Sequence, residues 1–317
     1  MKAPGQKEKA KRLTVTNLRT FNKLGGVVVA LLAVFVSSVA GENSEIMHLF
    51  SYWGPVGAAL IFLIAYLGEP YWVHRLHRRN GWPDRLPFEL NFLPHRFGLE
   101  LREILYFETA VGEPAFSSGH PLSPRRIYLR KGMEERFNQQ QLQGLFAAQL
   151  AELSQERDTK LWAAGAAAFV LLVFTPLIVL HLLPGVIASF QLMLALIPLL
   201  IALLDVIIIY LSRHLVYLSD RHAARVLIYP DCLLSYLQAH ALLAKEEEQK
   251  VAPSTDKKKK RPGLMKRISA ASPYPSPRER LAKLGALYPE AEQLHRKLQE
   301  KAVEKKPPKK PGVRLTR

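Results

Sequence analysis

Four long stretches of this chain carry almost no charge, and they limit its fold before any motif is considered. Leu24 to Ala40 (LGGVVVALLAVFVSSVA) and Ser51 to Leu67 (SYWGPVGAALIFLIAYL) carry none. Leu161 to Leu183 is uncharged unless His181 is protonated, and Ile187 to Leu211 holds one charge, Asp205. An α-helix needs about 20 apolar residues to cross a ~30 Å hydrocarbon core, so four transmembrane helices are expected. The first stretch has a rival reading as a secretory signal, because a basic region precedes it and small residues lead into VAG. A second apolar stretch follows after only a short loop, which favours a retained membrane helix.

The charges between these stretches set an orientation. Residues 1–23 hold Lys2, Lys7, Lys9, Lys11, Arg12, Arg19 and Lys23 against one acid, Glu8. The loop GENSEIMH and the loop around Pro184 and Gly185 contain no Lys or Arg, whereas the segment from Glu69 to Lys160 and everything after Leu211 are rich in both. The positive-inside rule then places both termini and the long loop in the cytoplasm, in what reads as a bacterial inner membrane. The net charge of +17 is mostly a property of that face and suits anionic membrane lipids. Nucleic acid is the rival partner for such charge, but no recognition module accompanies it, so no specific nucleic acid is expected. The single cysteine, Cys232, excludes an intrachain disulfide and any multi-cysteine metal site.

These boundaries divide the chain into a basic N-terminus (1–23), a helical membrane pair (24–68), a first cytoplasmic half (69–160), a second pair (161–211), a second cytoplasmic half (212–290) and a basic tail (291–317). In the first half, RRIYLR alternates like one β-strand. A helix starts at Asn138, an N-cap with Gln141 three residues on. Leu142, Leu145, Phe146, Leu150 and Leu153 recur along one side of it, and it is expected to span 138–160 and run into the third membrane span. In the second half, helices are expected through SDRHAARVLI, DCLLSYLQAHALLAKEEE and PRERLAKLGAL, with a further one at PEAEQLHRKLQEKAVEKK. About 249–272, containing PSTDKKKKRPG, reads as a flexible basic insert.

Four of these stretches resemble, in order, motifs of the HtpX-like integral-membrane zinc metallopeptidases. PAFSSG (Pro114 to Gly119) is similar to N-A-F-A-T-G, and LFAAQLAELSQERD (Leu145 to Asp158) to V-L-A-H-E-L-G-H-I-x-N-x-D. SRHLVYLSDRHAARV (Ser212 to Val226) is similar to S-R-x-R-E-x-x-A-D-x-x-A-A, and YPSPRERLAKL (Tyr274 to Leu284) to H-P-P-x-x-x-R-I-x-x-L. The resemblance covers about residues 20–290. It implies a mainly α membrane protein with four spans and a cytoplasmic zincin-like, mostly helical domain with a small β element.

The chemistry those motifs carry in the family is missing. A zincin holds zinc with two imidazoles at i and i+4 on one helix, a neighbouring Glu as general base, and a third ligand from a later helix. The resemblance puts Ala148 and Glu152 at the histidines, Gln149 at the base, Val216 at the third ligand and Tyr274 at the histidine of H-P-P. A methyl and an isopropyl group cannot ligate zinc, and a neutral amide cannot take a proton from water. The expectation is a degenerate member with no cofactor and no catalysis, acting as an interaction, scaffold, adaptor or assembly protein on a membrane-protein partner. Its former groove would still accept an extended segment by strand addition.

Asp158 closes the helix motif in this reading, while Asp220 and Arg280 keep their motif places, so all three are expected to hold the domain together by polar pairing. Glu152 is expected to pair with Arg213 or Arg221. His74 and His77, spaced i, i+3, read as interfacial side chains, and His214 and His222 are too far apart on one helix to share a metal. Asp205 lies inside a span, where an acid is costly and needs a pairing or a role. Ser189 and Gln191 offer interhelical hydrogen bonds, and Pro176 and Pro198 offer kinks. Lys257, Lys258, Lys259, Lys260 and Arg261, with Lys266 and Arg267, read as an acidic-lipid site or a solvated linker. The alternative function is an active peptidase or hydrolase with an unconventional site, for which Ser117, Ser118 and His120 supply a nucleophile and a base.

Overall fold

A computed structural model describes residues 44–77, 92–107, 111–174, 186–227, 229–251 and 274–289, with a few isolated positions elsewhere. Among the described residues, short strands and helices alternate in chain order. They are β1 (Lys9–Ala10), α1 (Ser44–His77), β2 (Pro83–Asp84), α2 (Phe92–Arg96), β3 (Glu103–Phe107), β4 (Val111–Gly112), β5 (Ala115–Ser118) and β6 (Arg126–Arg130). The rest is helical: α3 (Met133–Arg136), α4 (Gln139–Ser154), α5 (Arg157–Phe169) with a wider π-type turn at Val170–Phe174, α6 (Val186–Val226), α7 (Asp231–Val251) and α8 (Pro277–Leu287).

The expected strand at RRIYLR is β6, and it is central. The sheet runs β2-β3-β6-β5, with β3 parallel and β5 antiparallel to β6. All of β6 is buried, so its pleat sorts side chains between two faces. Ile127 and Leu129 join Ile104 and Ala115 in the main core under α4 and α7. Tyr128 points the other way, among Leu105, Phe107, Phe116 and Val73, and stacks on Phe116 at 4.7 Å. Val73 belongs to α1, so this apolar helix leans directly on the sheet's far face. Arginines at the strand ends are neutralised: Arg126 by Glu103, and Arg130 by Glu247 at 2.8 Å.

The two capped helices start where the chain offers side-chain oxygens. Asn138 accepts from the Gln141 amide at 2.8 Å while the Gln141 side chain accepts from the Asn138 amide at 3.1 Å. Ser276 and Glu279 repeat the reciprocal pattern at α8, with Pro277 at the first helical position. Gly144 brings α4 onto α7, since a Cβ there would lie 2.2 Å from the Cys232 carbonyl oxygen.

Three expectations are corrected. The helix expected over 138–160 stops at Ser154, because Glu156 takes a left-handed backbone (φ 49°) and a new helix starts at Arg157. The fourth apolar run and the polar motif after it are one rod: α6 passes without a break from Val186 through Pro198 and Ser212 to Val226. At about 1.5 Å per residue it is about 60 Å long. The helix α7 reaches Val251, so its last three residues fall in the segment read as flexible from Gln249.

A second core lies between α1, α5 and α6, built from Phe62, Leu161, Trp162, Phe169, Leu204 and Ile208, with Leu18 wholly buried beside them. Away from this core, Trp53, Ile61, Ile64, Tyr71 and Trp72 of α1 and Leu203, Val206, Ile207 and Tyr210 of α6 are exposed. Such faces suit lipid, and Trp53 and Trp72 stand about 28 Å apart along the helix axis, close to a hydrocarbon thickness. Among the described residues, Trp53–Leu76 and Leu199–Val226 are the helices long and apolar enough to cross a membrane. Apart from Leu24 and Gly25, the expected first span lies outside the described residues, as do the end of the third, residues 252–271 with Lys257 to Arg261, and nearly all of the tail.

Candidate functional site

The face of α4 that carries Ala148, Gln149 and Glu152 turns inward, and all three are buried. Opposite it, α6 presents a buried stripe at helical spacing: Ser212, Val216, Ser219, Asp220 and Ala223. Arg213 and Arg221 fall off that stripe. Arg213 instead donates to Glu279 at 2.8 Å, so neither is the partner expected for Glu152.

Arg157 is that partner. The break at Glu156 turns it back under α4, where it is 3% exposed. Its Nη1 donates to Glu152 Oε2 at 3.0 Å and its Nη2 to Ser212 Oγ at 3.2 Å. The same Nη2 donates to the Tyr274 hydroxyl, and the guanidinium lies 4.5 Å from the centre of the Tyr274 ring. One cation thus gathers α4, α6 and the segment before α8. The planar fork of arginine suits this use, because it can serve several acceptors at once.

Sequence reasoning missed Arg157, and the signal was there. Counted from Ala148 at the first histidine, the quoted motif V-L-A-H-E-L-G-H-I-x-N-x-D ends on residue 157, not on Asp158. The position that holds an acid in the family holds a base here. Asp158 is one residue out of register and half-buried. The other two scaffold residues do meet: Arg280 Nε and Nη2 donate to Asp220 Oδ2 and Oδ1 at 2.8 and 2.5 Å, both side chains 4% exposed. This fork-to-carboxylate pair ties α8 to α6.

Tested against zinc, these residues do not fit. Ala148 and Val216 offer no donor atoms, and the one carboxylate, Glu152, is committed to Arg157. Among the described residues, no three His, Cys, Asp or Glu side chains gather as a metal site.

Nor does the structure bring the alternative nucleophile to its base. His120 Nδ1 accepts from the Leu122 amide at 3.1 Å, and its ring packs tilted against Tyr66 at 4.4 Å. No hydrogen bond joins it to Ser117 or Ser118 among the described residues. His222 lies 3.3 Å from Ser154 Oγ, while His214 stacks on Tyr210. Asp205 is buried although its neighbours Leu203, Val206 and Ile207 are exposed, so it points into the helix packing. Pro176 and the side chains of Ser189 and Gln191 lie outside the described residues.

Burial holds His120 below the ordinary imidazole range, with a backbone hydrogen bond at Leu67 acting the other way. The unfolded chain takes up a proton near pH 6.5 that the folded protein refuses, so stability falls as pH drops below about 6.5. Thermal unfolding in detergent at pH 7.5 and 5.5 should show this fall, and His120→Asn should reduce it.

No protein-family model matches the chain, and no curated protein matches it. Among solved structures it is similar to the crystal structure of Ste24p from S. mikatae, with a TM-score of 0.53 and 14% identity. The match covers 85% of this chain and 66% of that one, so this chain spans just under two thirds of the length of that protein. At such identity the likeness concerns fold alone. The fold shared with that structure is mostly helical with a small sheet. Its two long apolar helices suit a membrane location.

Proposed function

We propose that this protein is a catalytically inactive homologue of membrane metallopeptidases. It acts as an interaction, scaffold, adaptor or assembly protein on a membrane-protein partner. The observation that carries this reading is the Glu152–Arg157–Tyr274–Ser212 cluster, in which an ion pair takes up the carboxylate at one of the places where the family keeps a metal ligand. A guanidinium there opposes a divalent cation by charge and occupies the carboxylate that would bind it. The buried Asp220–Arg280 pair supports the same reading, since the framework is held while the chemistry is absent. In this reading the chain is a degenerate HtpX-like protein of a bacterial inner membrane, multi-pass, with both termini cytoplasmic, and its basic segments meet anionic lipid.

Zinc content tests the proposal. Full-length protein purified in mild detergent without chelator should carry far less than one zinc per chain by plasma mass spectrometry, before and after incubation with zinc. One tightly bound equivalent would overturn it.

A further inference from the structure

Leu122 is the most exposed large apolar side chain among the described residues, at 78%. A lone leucine on a surface is ordinary, but this one is held out by its own backbone. It lies on the turn between β5 and β6, where the Ser123 amide donates to the His120 carbonyl at 2.9 Å. The Leu122 amide donates to His120 Nδ1 at 3.1 Å, and the His120 amide to Ser123 Oγ at 2.9 Å. Pro121 and Leu122 are the central residues of the turn, and proline's fixed φ suits the first of those places. The legs of the loop run close together. A Cβ on Gly119, whose φ is 137°, would lie 2.8 Å from the Arg125 Cα. The turn is thus braced from within, while both residues at its tip are exposed.

The base of this turn stands at the edge of the apolar zone. His120 is buried, and its ring lies 4.4 Å from that of Tyr66. Tyr66 is one residue short of the end of the uncharged run Ser51 to Leu67. Its hydroxyl is 2.9 Å from Thr159 Oγ1, and the run that α5 contributes begins two residues later, at Leu161. Two apolar runs therefore end at one level, and the turn is docked there. Trp72 lies six residues further along α1, about 9 Å. It is exposed together with Tyr71, as aromatic residues are at a headgroup boundary. That boundary zone is roughly 5–7 Å deep on each side of a bilayer, so a turn fixed at Tyr66 lies beside it.

Charge on the legs is complementary to such a surface. The Arg102 amide donates to the Arg125 carbonyl at 3.0 Å, which sets the two arginines on adjacent stretches of main chain. Arg126 is neutralised by Glu103, but neither Arg102 nor Arg125 has an acidic partner among the described residues. Resting on the membrane setting proposed above, and not on the loss of catalysis, we infer that the β5–β6 turn is a membrane anchor separate from the spanning helices. Leu122 enters the boundary between headgroups and acyl chains, and Arg102 and Arg125 meet the phosphates of anionic phospholipid. A guanidinium suits this place, since its fork matches phosphate and its stem tolerates an apolar surface. The sheet is then steadied against the bilayer by its own turn.

The test places an NBD fluorophore on Pro121→Cys in a Cys232→Ser background, full-length, with one chain per lipid nanodisc. Reporters at Ile64→Cys, on the exposed face of α1, and at Glu135→Cys, exposed beyond the far end of β6, mark lipid and water. In phosphatidylglycerol discs the Pro121→Cys emission should lie nearer that of Ile64→Cys, and acrylamide should quench it several-fold less than Glu135→Cys. Adding Leu122→Asp should return it to the Glu135→Cys value. In phosphatidylcholine the blue shift should be smaller, and Arg102→Gln with Arg125→Gln should erase the difference between the two lipids. A Pro121→Cys reporter that matches Glu135→Cys in both lipids overturns the anchor. So does a lipid-like signal that Leu122→Asp leaves unchanged, because another part of the chain then covers the turn. Equal signals for wild type in the two lipids overturn the part given to the arginines. Failure of the membrane setting is distinguishable, since Ile64→Cys would then read as water too.

Discussion

Arg157→Ala should destabilise the protein by about 3–5 kcal/mol, because it strands a carboxylate in the interior without its counter-charge. Glu152 and Arg157 have side chains only 4% and 3% exposed, so water cannot take over the missing partner. Ser212 loses its donor in the same step, and the ring of Tyr274 loses the cation above it. In detergent this should lower the apparent melting temperature by roughly 10 °C, taking 2–4 °C per kcal/mol for a chain of this size class. Two companions separate charge from packing. Arg157→Lys keeps the charge but not the fork, and should fall between wild type and Arg157→Ala. Arg157→Met combined with Glu152→Leu removes both charges at similar volume and should recover most of the loss, since a buried pair is often replaceable by apolar packing. A single variant as stable as wild type would mean that Glu152 is not held by Arg157.

A methyl group at Gly144 should be nearly as damaging, at about 3 kcal/mol, the upper end of overpacking effects. Its Cβ would lie 2.2 Å from the Cys232 carbonyl oxygen and 2.7 Å from the carbonyl carbon. Both are main-chain atoms, so no rotamer change relieves the overlap and α4 and α7 must separate. Neighbouring bonds would strain with them, including the 2.7 Å bond from the Gln140 amide to Asp231. Gly57→Ala is the control. Nothing lies within 4 Å of a Cβ placed there in α1, so the change should be neutral or slightly stabilising, within about 1 kcal/mol. Chemical or thermal unfolding of the two variants side by side would decide the matter, and equal stability would refute the close approach.

The features that could be read from the chain are those whose cause is local. The caps at Asn138 and Ser276 are visible because the acceptor and its reciprocal Gln141 or Glu279 lie three residues apart. The strand at RRIYLR shows because its alternation survives burial on both faces. In the same sheet β2 and β5 are shorter, and like β3 they depend on pairing, so no single one announces itself. The break at Glu156 left no mark, because a left-handed residue is ordinarily signalled by Gly or Asn and here is neither. That break decides which side chain enters the cleft, so only the motif register counted from Ala148 points to Arg157. The continuity of α6 was hidden for a different reason. A shift from apolar to polar residues looks like the end of an element, whereas here it marks only a change of surroundings along one helix. Asp220 and Arg280 were picked out by the motif resemblance alone, since sixty residues of sequence separate a pair that meets at 2.5 Å.

That undivided helix has a mechanical consequence. Asp205, Ser212, Val216 and Asp220 ride on one stiff lever, whose apolar part exposes Leu203, Val206, Ile207 and Tyr210 and whose polar end lines the face opposite α4. Helices adjust to bilayer thickness by tilting, and over about 60 Å a tilt of about 5° carries the far end sideways by about 5 Å. Thicker or thinner bilayers would therefore move Ser212 and Asp220 relative to Arg157 and Arg280. In the membrane setting proposed above, lipid acyl-chain length would then act on the cleft through this one helix.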